Sequence, residues 1–110
     1  MKIPGKKILF LTLEKEFFDL IQSGKKDWEY RDYKDFFIKR LMNPDKTFKS
    51  YDYILFQNGY RTNARQMLVE FKGVKIVKER QGLFRTKKGF EIALGNIIDK
   101  EITHDLDNQI

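Results

Sequence analysis

The order of hydrophobic and polar residues begins with a strand and a helix. Residues 8–13 form a short apolar run rich in residues that favour β-structure, which predicts a buried strand. A helix over residues 14–23 follows, because four apolar residues fall on one helical stripe, namely Leu13, Phe17, Leu20 and Ile21. Gly24 occupies the position where a left-handed residue commonly ends a helix. We therefore expect Phe17 and Ile21 to pack this helix against the rest of the fold.

The next segment, residues 26–33, alternates between two kinds of side chain and predicts a strand. One face carries the aromatic residues Trp28 and Tyr30, and the other carries the charged residues Glu29 and Arg31. Large aromatic side chains commonly fill protein cores, so we expect the aromatic face to be buried.

The remaining elements are predicted from the same two periods. A second short helix is expected over residues 34–41, and further strands over residues 51–57, 65–78 and 90–94, with an extension of the last strand through residues 95–98 as an alternative. Gly73 interrupts one of these strands and predicts a bulge or a bend. Most strands follow one another without crossover helices. This favours an α+β fold built on a mostly antiparallel, partly closed β-barrel with about two short helices on its rim.

Charge is unevenly distributed along the chain. The net charge is +6, from 22 Lys and Arg against 16 Asp and Glu. Residues 61–88 hold nine basic and two acidic residues, a net charge of +7, whereas residues 99–110 carry −3. We therefore expect one domain over residues 1–98, followed by a loose acidic tail over residues 99–110. The basic segment favours an anionic partner, most often nucleic acid, and a solvated basic face is the alternative.

The composition excludes several kinds of site. The chain has no cysteine and one histidine, which rules out disulfides and thiolate metal sites and argues against zinc. It has no glycine-rich phosphate loop, and we expect neither a metal nor another cofactor.

The apolar run over residues 8–13 is too short to cross a membrane. The sequence therefore predicts a cytoplasmic protein without a membrane partner.

The most specific motif lies where the first helix ends. Residues 20–31 contain a helix end with Ser-Gly, a lysine pair and a strand with Glu-x-Arg, carried by Gly24, Lys25, Lys26, Glu29 and Arg31. This segment resembles the signature of the ASCH domain family of the PUA-like superfamily. Weaker similarity is found at residues 52–56, near Val69 and at residues 92–95. The resemblance implies a PUA-like β-barrel with a cleft beside the first helix.

The resemblance also implies a partner, because ASCH domains are expected to bind RNA or nucleotides. Some members are amidohydrolases that act on acylated cytidine, and others are ribonucleases. In the amidohydrolases the working residues include a lysine and a threonine three positions later, and the matching positions here are Lys26 and Glu29. Binding of RNA or a modified nucleotide is the first interpretation. Hydrolysis is the second, and a protein-interaction domain with a basic face is the third.

Lys26, Glu29 and Arg31 are the central candidates for a ligand site. Lysine and arginine donate hydrogen bonds to phosphate oxygens, and glutamate accepts them from the amine of a base. A catalytic role for Lys26 with Glu29 or Glu70 is one alternative, and an ion pair on a strand surface is the other. Further candidates for ligand contacts are charged, polar and aromatic residues of the same motif and of the loops: Lys25, Tyr33, Asn58, Tyr60 and Arg61.

Overall fold

Two short helices interrupt a series of five strands. The computed structural model describes residues 1–102 of the 110-residue chain. The elements are β1 (Ile8–Leu13), α1 (Lys15–Gln22), β2 (Trp28–Asp32), α2 (Asp35–Leu41), β3 (Tyr53–Asn58), β4 (Gln66–Lys78) and β5 (Lys88–Ile102). The predicted number and order of elements are confirmed. No helix within the described residues is long and apolar enough to cross a membrane.

All five strands belong to one sheet with the order β1-β3-β4-β5-β2. β1 pairs with β3 in parallel, whereas the other three pairings are antiparallel. A parallel pair needs a long connection, which α1, β2 and α2 supply. The α+β class and the mostly antiparallel sheet are confirmed. Across residues 1–102 no ladder joins β1 to β2, so the sheet is open.

The sheet bends where β4 loses its regular pairing with β5. The register shifts several times between Gln66 and Gly73, and Gly73 has a φ of 129°. Irregularities of this kind bend a strand and increase its twist, and glycine adopts a positive φ at little steric cost. The bulge predicted at Gly73 is confirmed. Beyond the bend, β2 at one sheet edge comes close enough to β1 at the other for a side-chain hydrogen bond from Arg31 to Thr12.

α1 ends at the predicted glycine but buries a different face. Gly24 has a φ of 78°, and its N–H and that of the next residue donate to the carbonyls of Ile21 and Leu20, which is a Schellman motif. Ile21 is buried as predicted, but its buried neighbour is Phe18, and Phe17 is 39% exposed. Positions 17 and 18 are both phenylalanine, so helical spacing alone does not select which one faces the core.

β2 presents its two faces the opposite way from the prediction. Glu29 is only 5% exposed, whereas Trp28 is 40% exposed. A glutamate can occupy this inward position because its carboxylate is paired with two cations. On the outer face, Tyr30 is covered by Phe84, whose ring meets it edge-on at 6.0 Å between centroids.

The hydrophobic core lies between the sheet and the two helices. Strands β1, β3, β4 and β5 and both helices contribute to it, and its fully buried side chains include Phe18, Leu41, Phe56 and Phe90. Close packing of these rings fills the space under the sheet, so we look for a site at the strand ends and in the loops.

β5 is longer than the sequence predicts. It runs to Ile102, which pairs with Gln66 of β4, and the Gln22 side chain of α1 donates a hydrogen bond to the carbonyl of Lys100 at 2.8 Å. Residues 99–102 therefore belong to the sheet, and the boundary predicted after residue 98 lies too early. The rest of the predicted tail, residues 103–110, lies outside the described residues.

Candidate functional site

A cleft of about 630 Å³ opens at the carboxyl ends of β1 and β3. Because these strands are parallel and in register, Leu13 at the end of β1 lies opposite Asn58 at the end of β3. The first turn of α1, strand β2 and the loop before β5 complete the walls. A volume of this size is typical of sites for small organic ligands.

The Glu29 carboxylate is saturated with hydrogen bonds in the wall of the cleft. Its Oε1 accepts from Nζ of Lys26 at 2.9 Å and from the backbone N–H of Tyr30 at 3.1 Å. Its Oε2 accepts from Nε and Nη2 of Arg31 at 3.1 and 2.6 Å. These bonds fill the acceptor positions of a carboxylate. Glu29 therefore orients two cations, and it has no acceptor position left for a ligand.

The two cations, in contrast, keep N–H groups for a ligand. The Lys26 ammonium has three N–H donors, and Glu29 accepts from one of them. Nε and Nη2 of Arg31 both donate to Glu29, and Nη2 also donates to the carbonyl of Thr12. Nη1 of Arg31 has no hydrogen-bond acceptor among residues 1–102. Both side chains line the cleft, so their remaining N–H groups can bind acceptor atoms of a ligand.

Aromatic rings stand next to both cations. Nζ of Lys26 lies 4.7 Å from the centroid of the Phe17 ring, and Cζ of Arg31 lies 5.3 Å from the centroid of the Phe37 ring. Cation–π attraction at these distances helps to hold the charged groups. On the loop after β3, Tyr60 is 87% exposed, and its hydroxyl accepts a hydrogen bond from Thr12 Oγ1 at 3.2 Å. The cleft thus combines oriented N–H donors with accessible aromatic surface.

The Schellman motif at the end of α1 separates the two adjacent lysines. The backbone N–H of Lys26 donates to the carbonyl of Leu20 at 3.1 Å, which ties the start of the connection to β2 against the helix. The side chain of Lys26 enters the cleft, while Lys25 is exposed and lies outside it. The turn geometry therefore places Lys26, the central candidate from the sequence, in the cleft and leaves Lys25 outside it.

Five of the eight residues predicted for ligand contacts line the cleft: Lys26, Glu29, Arg31, Asn58 and Tyr60. The remaining three, Lys25, Tyr33 and Arg61, do not line it. Tyr33 instead stacks on Phe90 with 5.3 Å between the ring centroids, because it follows the end of β2 and turns toward the core. Arg61 is exposed on the loop after β3.

Ten of the fifteen residues that line the cleft were not predicted as site residues, among them Phe17, Phe37 and Arg85. Phe17 was assigned to the buried stripe of its helix, Phe37 lies in the second predicted helix, and Arg85 lies in a loop without periodicity. The adjacent phenylalanines at positions 17 and 18 were the available signal, because a narrow helical stripe buries only one of them fully.

Arg85 belongs to the basic hairpin, which we define as residues 78–88. This hairpin is anchored next to the cleft, since the backbone N–H of Arg85 donates to Asp32 Oδ1 at 3.0 Å. The Phe84 ring is buried, and the Glu79 carboxylate accepts hydrogen bonds from the N–H groups of Gly82 and Phe84 at 3.3 and 2.6 Å. The loop therefore has a defined conformation that places Arg85 at the edge of the cleft.

Charges in the cleft are balanced. Three basic side chains (Lys26, Arg31 and Arg85) and three acidic ones (Glu14, Glu29 and Asp32) line it.

Glu70, the other carboxylate considered for catalysis, does not line the cleft and accepts a hydrogen bond from the backbone of Asn96. In the part of the chain described by the structure, no group of three or more His, Cys, Asp or Glu side chains could hold a metal ion.

Comparison with protein-family models, curated proteins and solved structures finds no match to this chain. Membership of the ASCH family, which the resemblance of residues 20–31 implies, therefore stays a proposal. The geometry of the cleft by itself supports a proposal about the kind of ligand that it binds.

Proposed function

We propose that the cleft binds the base and sugar of a nucleotide, either free or within RNA. The observation that carries the proposal is the saturated Glu29, which holds Lys26 and Arg31 with free N–H groups beside aromatic rings. Nucleobases offer ring nitrogens and carbonyl oxygens as acceptors, and their flat faces stack on aromatic side chains. The balanced charge of the cleft favours this largely uncharged part of a nucleotide over a polyphosphate.

The role proposed for Glu29 differs from the one suggested by its residue type. A glutamate that reads a base needs a free acceptor, whereas both oxygens of Glu29 are occupied. We propose that Glu29 positions the cations, and that Lys26, Arg31 and the side-chain amide of Asn58 contact the ligand. The resemblance to ASCH domains supports the same ligand class, and a PUA-like fold is part of this proposal.

Hydrolysis is the second candidate function. The observation in its favour is the 2.9 Å contact between Lys26 Nζ and Glu29 Oε1 inside the cleft. A general base must reach the proton that it removes, and Glu29 already accepts hydrogen bonds on both oxygens. Binding without turnover is therefore the result we expect with acylated cytidine and with short RNA.

The experiment compares two neighbouring lysines. Affinities for the common ribonucleoside 5′-monophosphates and for acylated cytidine would be measured by calorimetry for the wild type, Lys26→Ala and Lys25→Ala. Loss of a charge-assisted hydrogen bond should weaken binding by roughly 10- to 150-fold in Lys26→Ala. Lys25→Ala removes the same charge one residue away, outside the cleft, and should bind as the wild type does. Equal affinities of the two variants would contradict the proposal.

Glu29→Gln separates positioning from catalysis. The glutamine amide would place an N–H group against donors of Lys26 or Arg31, because both oxygens of Glu29 accept from them. We expect weaker nucleotide binding and no turnover in either the variant or the wild type. Turnover of acylated cytidine or RNA by the wild type that disappears in Glu29→Gln would favour the hydrolase instead.

A further inference from the structure

The basic hairpin has a charge surplus that the cleft lacks. Residues 78–88 contain five basic residues and one acidic residue, a net charge of +4. The basic side chains are exposed, and none of them forms an ion pair with a carboxylate of residues 1–102: Lys78, Arg80, Arg85, Lys87 and Lys88. The one acidic residue, Glu79, is occupied by the backbone N–H groups of its own loop.

Outside the hairpin, residues 61–88 contain four basic residues, and three of them pair with carboxylates: Arg65, Lys72 and Lys75. The fourth, Arg61, has no carboxylate partner among residues 1–102. Arg65 pairs with Asp19 and Glu101 at 2.9 and 3.0 Å, and Lys75 pairs with Glu91 at 3.4 Å. The charge of residues 61–88 is therefore concentrated at the hairpin and is not spread evenly over the surface.

The pairing of β4 with β5 places two lysines against each other. Lys78 is the register partner of Lys88, and like charges directly opposite in a ladder destabilise it. Within the described residues no carboxylate lies within ion-pair distance of either lysine. A bound anion would relieve this repulsion, so the arrangement favours a negatively charged partner.

The hairpin is continuous with the cleft. Arg31 of the cleft pairs in register with Phe90. Lys88 precedes Phe90 by two residues on β5, which is about 7 Å at the rise of a β-strand. Arg85 belongs to both surfaces. The Phe84 ring and the hydrogen bond from the Arg85 N–H to Asp32 anchor the backbone of the loop before any ligand arrives, which lowers the entropy cost of binding.

We propose that the basic hairpin binds the phosphodiester backbone of a single-stranded nucleic acid whose base occupies the cleft. The inference rests on the proposed function of the cleft and names its substrate class, an oligonucleotide instead of a free nucleotide. The cleft carries no surplus of positive charge for a backbone, and the hairpin beside it supplies one. A single strand is required because a base enters such a cleft only when it is unstacked and unpaired.

The test uses a charge-matched pair of variants. The hairpin variant combines Lys78→Gln, Arg80→Gln and Lys87→Gln. The control variant combines Lys2→Gln, Lys6→Gln and Lys72→Gln, which removes the same number of charges from exposed residues outside the hairpin and the cleft. Fluorescence anisotropy with single-stranded RNA of about 2 to 12 nucleotides, over roughly 50 to 200 mM salt, would report affinity and its salt dependence. Nucleoside monophosphates would serve as the short-ligand probe, and circular dichroism would verify folding.

For the hairpin variant we expect at least a roughly tenfold loss of affinity for the longer RNA, and no change for the monophosphates. The slope of log affinity against log salt should fall by about 0.7 for each phosphate contact removed. The control variant should bind like the wild type. If the two variants bind the longer RNA equally well, the hairpin proposal is overturned, even where Lys26→Ala weakens both ligands.

Two further comparisons distinguish binding at the basic hairpin from binding in the cleft and identify the class of partner. If Lys26→Ala leaves the affinity for monophosphates and RNA unchanged while the hairpin variant weakens RNA, the proposed function of the cleft is overturned and the hairpin surface stands. Polyglutamate tests the other class of partner. Competition by polyglutamate equal to that of RNA at the same charge concentration would overturn the nucleic-acid assignment and indicate an acidic protein.

Discussion

Nη2 of Arg31 lies 2.7 Å from the carbonyl oxygen of Thr12, and this hydrogen bond joins the two edge strands of the sheet. The same nitrogen lies 2.6 Å from Oε2 of Glu29. One guanidinium therefore spans the opening between β2 and β1 and also forms part of the cleft wall. The fold and the candidate site depend on each other at this residue.

Arg31→Ala should lower the free energy of unfolding by about 1.5–3 kcal/mol, because it removes charge-assisted hydrogen bonds from a largely buried group. Arg31→Lys should recover only part of the loss, since lysine keeps the charge but cannot fork between Glu29 and Thr12. Urea denaturation would measure both values. Arg61→Ala, an exposed arginine outside the cleft, serves as the control and should change stability by less than about 0.5 kcal/mol. An Arg31→Ala value as small as the control value would show that the bridge contributes nothing.

Tyr60→Ala should weaken binding of nucleotides by roughly 5- to 150-fold, the effect of losing one stacked base. The thermal stability should stay unchanged, because the side chain is 87% exposed. Tyr60→Phe keeps the ring and loses only the hydroxyl that accepts from Thr12, so its affinity should match the wild type. If Tyr60→Phe binds as poorly as Tyr60→Ala, the hydroxyl matters and the stacking explanation is wrong.

Arg65 should make the stability depend on pH in the acid range. Hydrogen bonds from Lys15 and then from Arg65 lower the pKa of Asp19, and hydrogen bonds from Gln22 and then from Arg65 lower the pKa of Glu101. A carboxyl with a lowered pKa stabilises the fold above its ordinary pKa. That contribution is lost as the pH falls through the lowered value.

Arg65→Met should therefore be less stable than the wild type near neutral pH, and the difference should shrink as the pH falls below about 4. Urea denaturation over a pH series would measure it. Arg61 has no carboxylate partner among residues 1–102. The free energy of unfolding of Arg61→Met should therefore differ from that of the wild type by the same amount at every pH. A constant difference for Arg65→Met as well would mean that Arg65 does not lower these pKa values.

Gly89 and Phe84 should behave as a coupled pair. A Cβ at Gly89 would overlap the Phe84 ring, so Gly89→Ala should cost about 1–3 kcal/mol by overpacking. Phe84→Ala removes a buried ring and should cost about 3–5 kcal/mol. In the Phe84→Ala background the alanine at position 89 meets no ring, and its cost should fall close to zero. Additive effects in this double-mutant cycle, followed by chemical denaturation, would refute the packing that anchors the basic hairpin.

Local chemistry accounts for much of what the sequence predicted. The strand over residues 8–13, the left-handed Gly24 and the bulge at Gly73 each depend on a short run or on a single glycine, and the structure has all three. Helical and strand periods also predicted the number and order of the elements. These features need only the preferences of neighbouring residues, so a single sequence contains them.

The orientation of β2 and the parallel pairing of β1 with β3 could not be obtained in this way. Period-two alternation defines two faces but not which one is buried, and here Glu29 is inside because Lys26 and Arg31 neutralise it. The cleft also needs distant residues, such as Thr12, Asn58 and Arg85, which meet only after the strands have paired. The motif over residues 20–31 suggested three residues of the cleft, Lys26, Glu29 and Arg31. Long-range pairing, which depends on the burial of the whole chain, sets the partners that give those three residues their geometry.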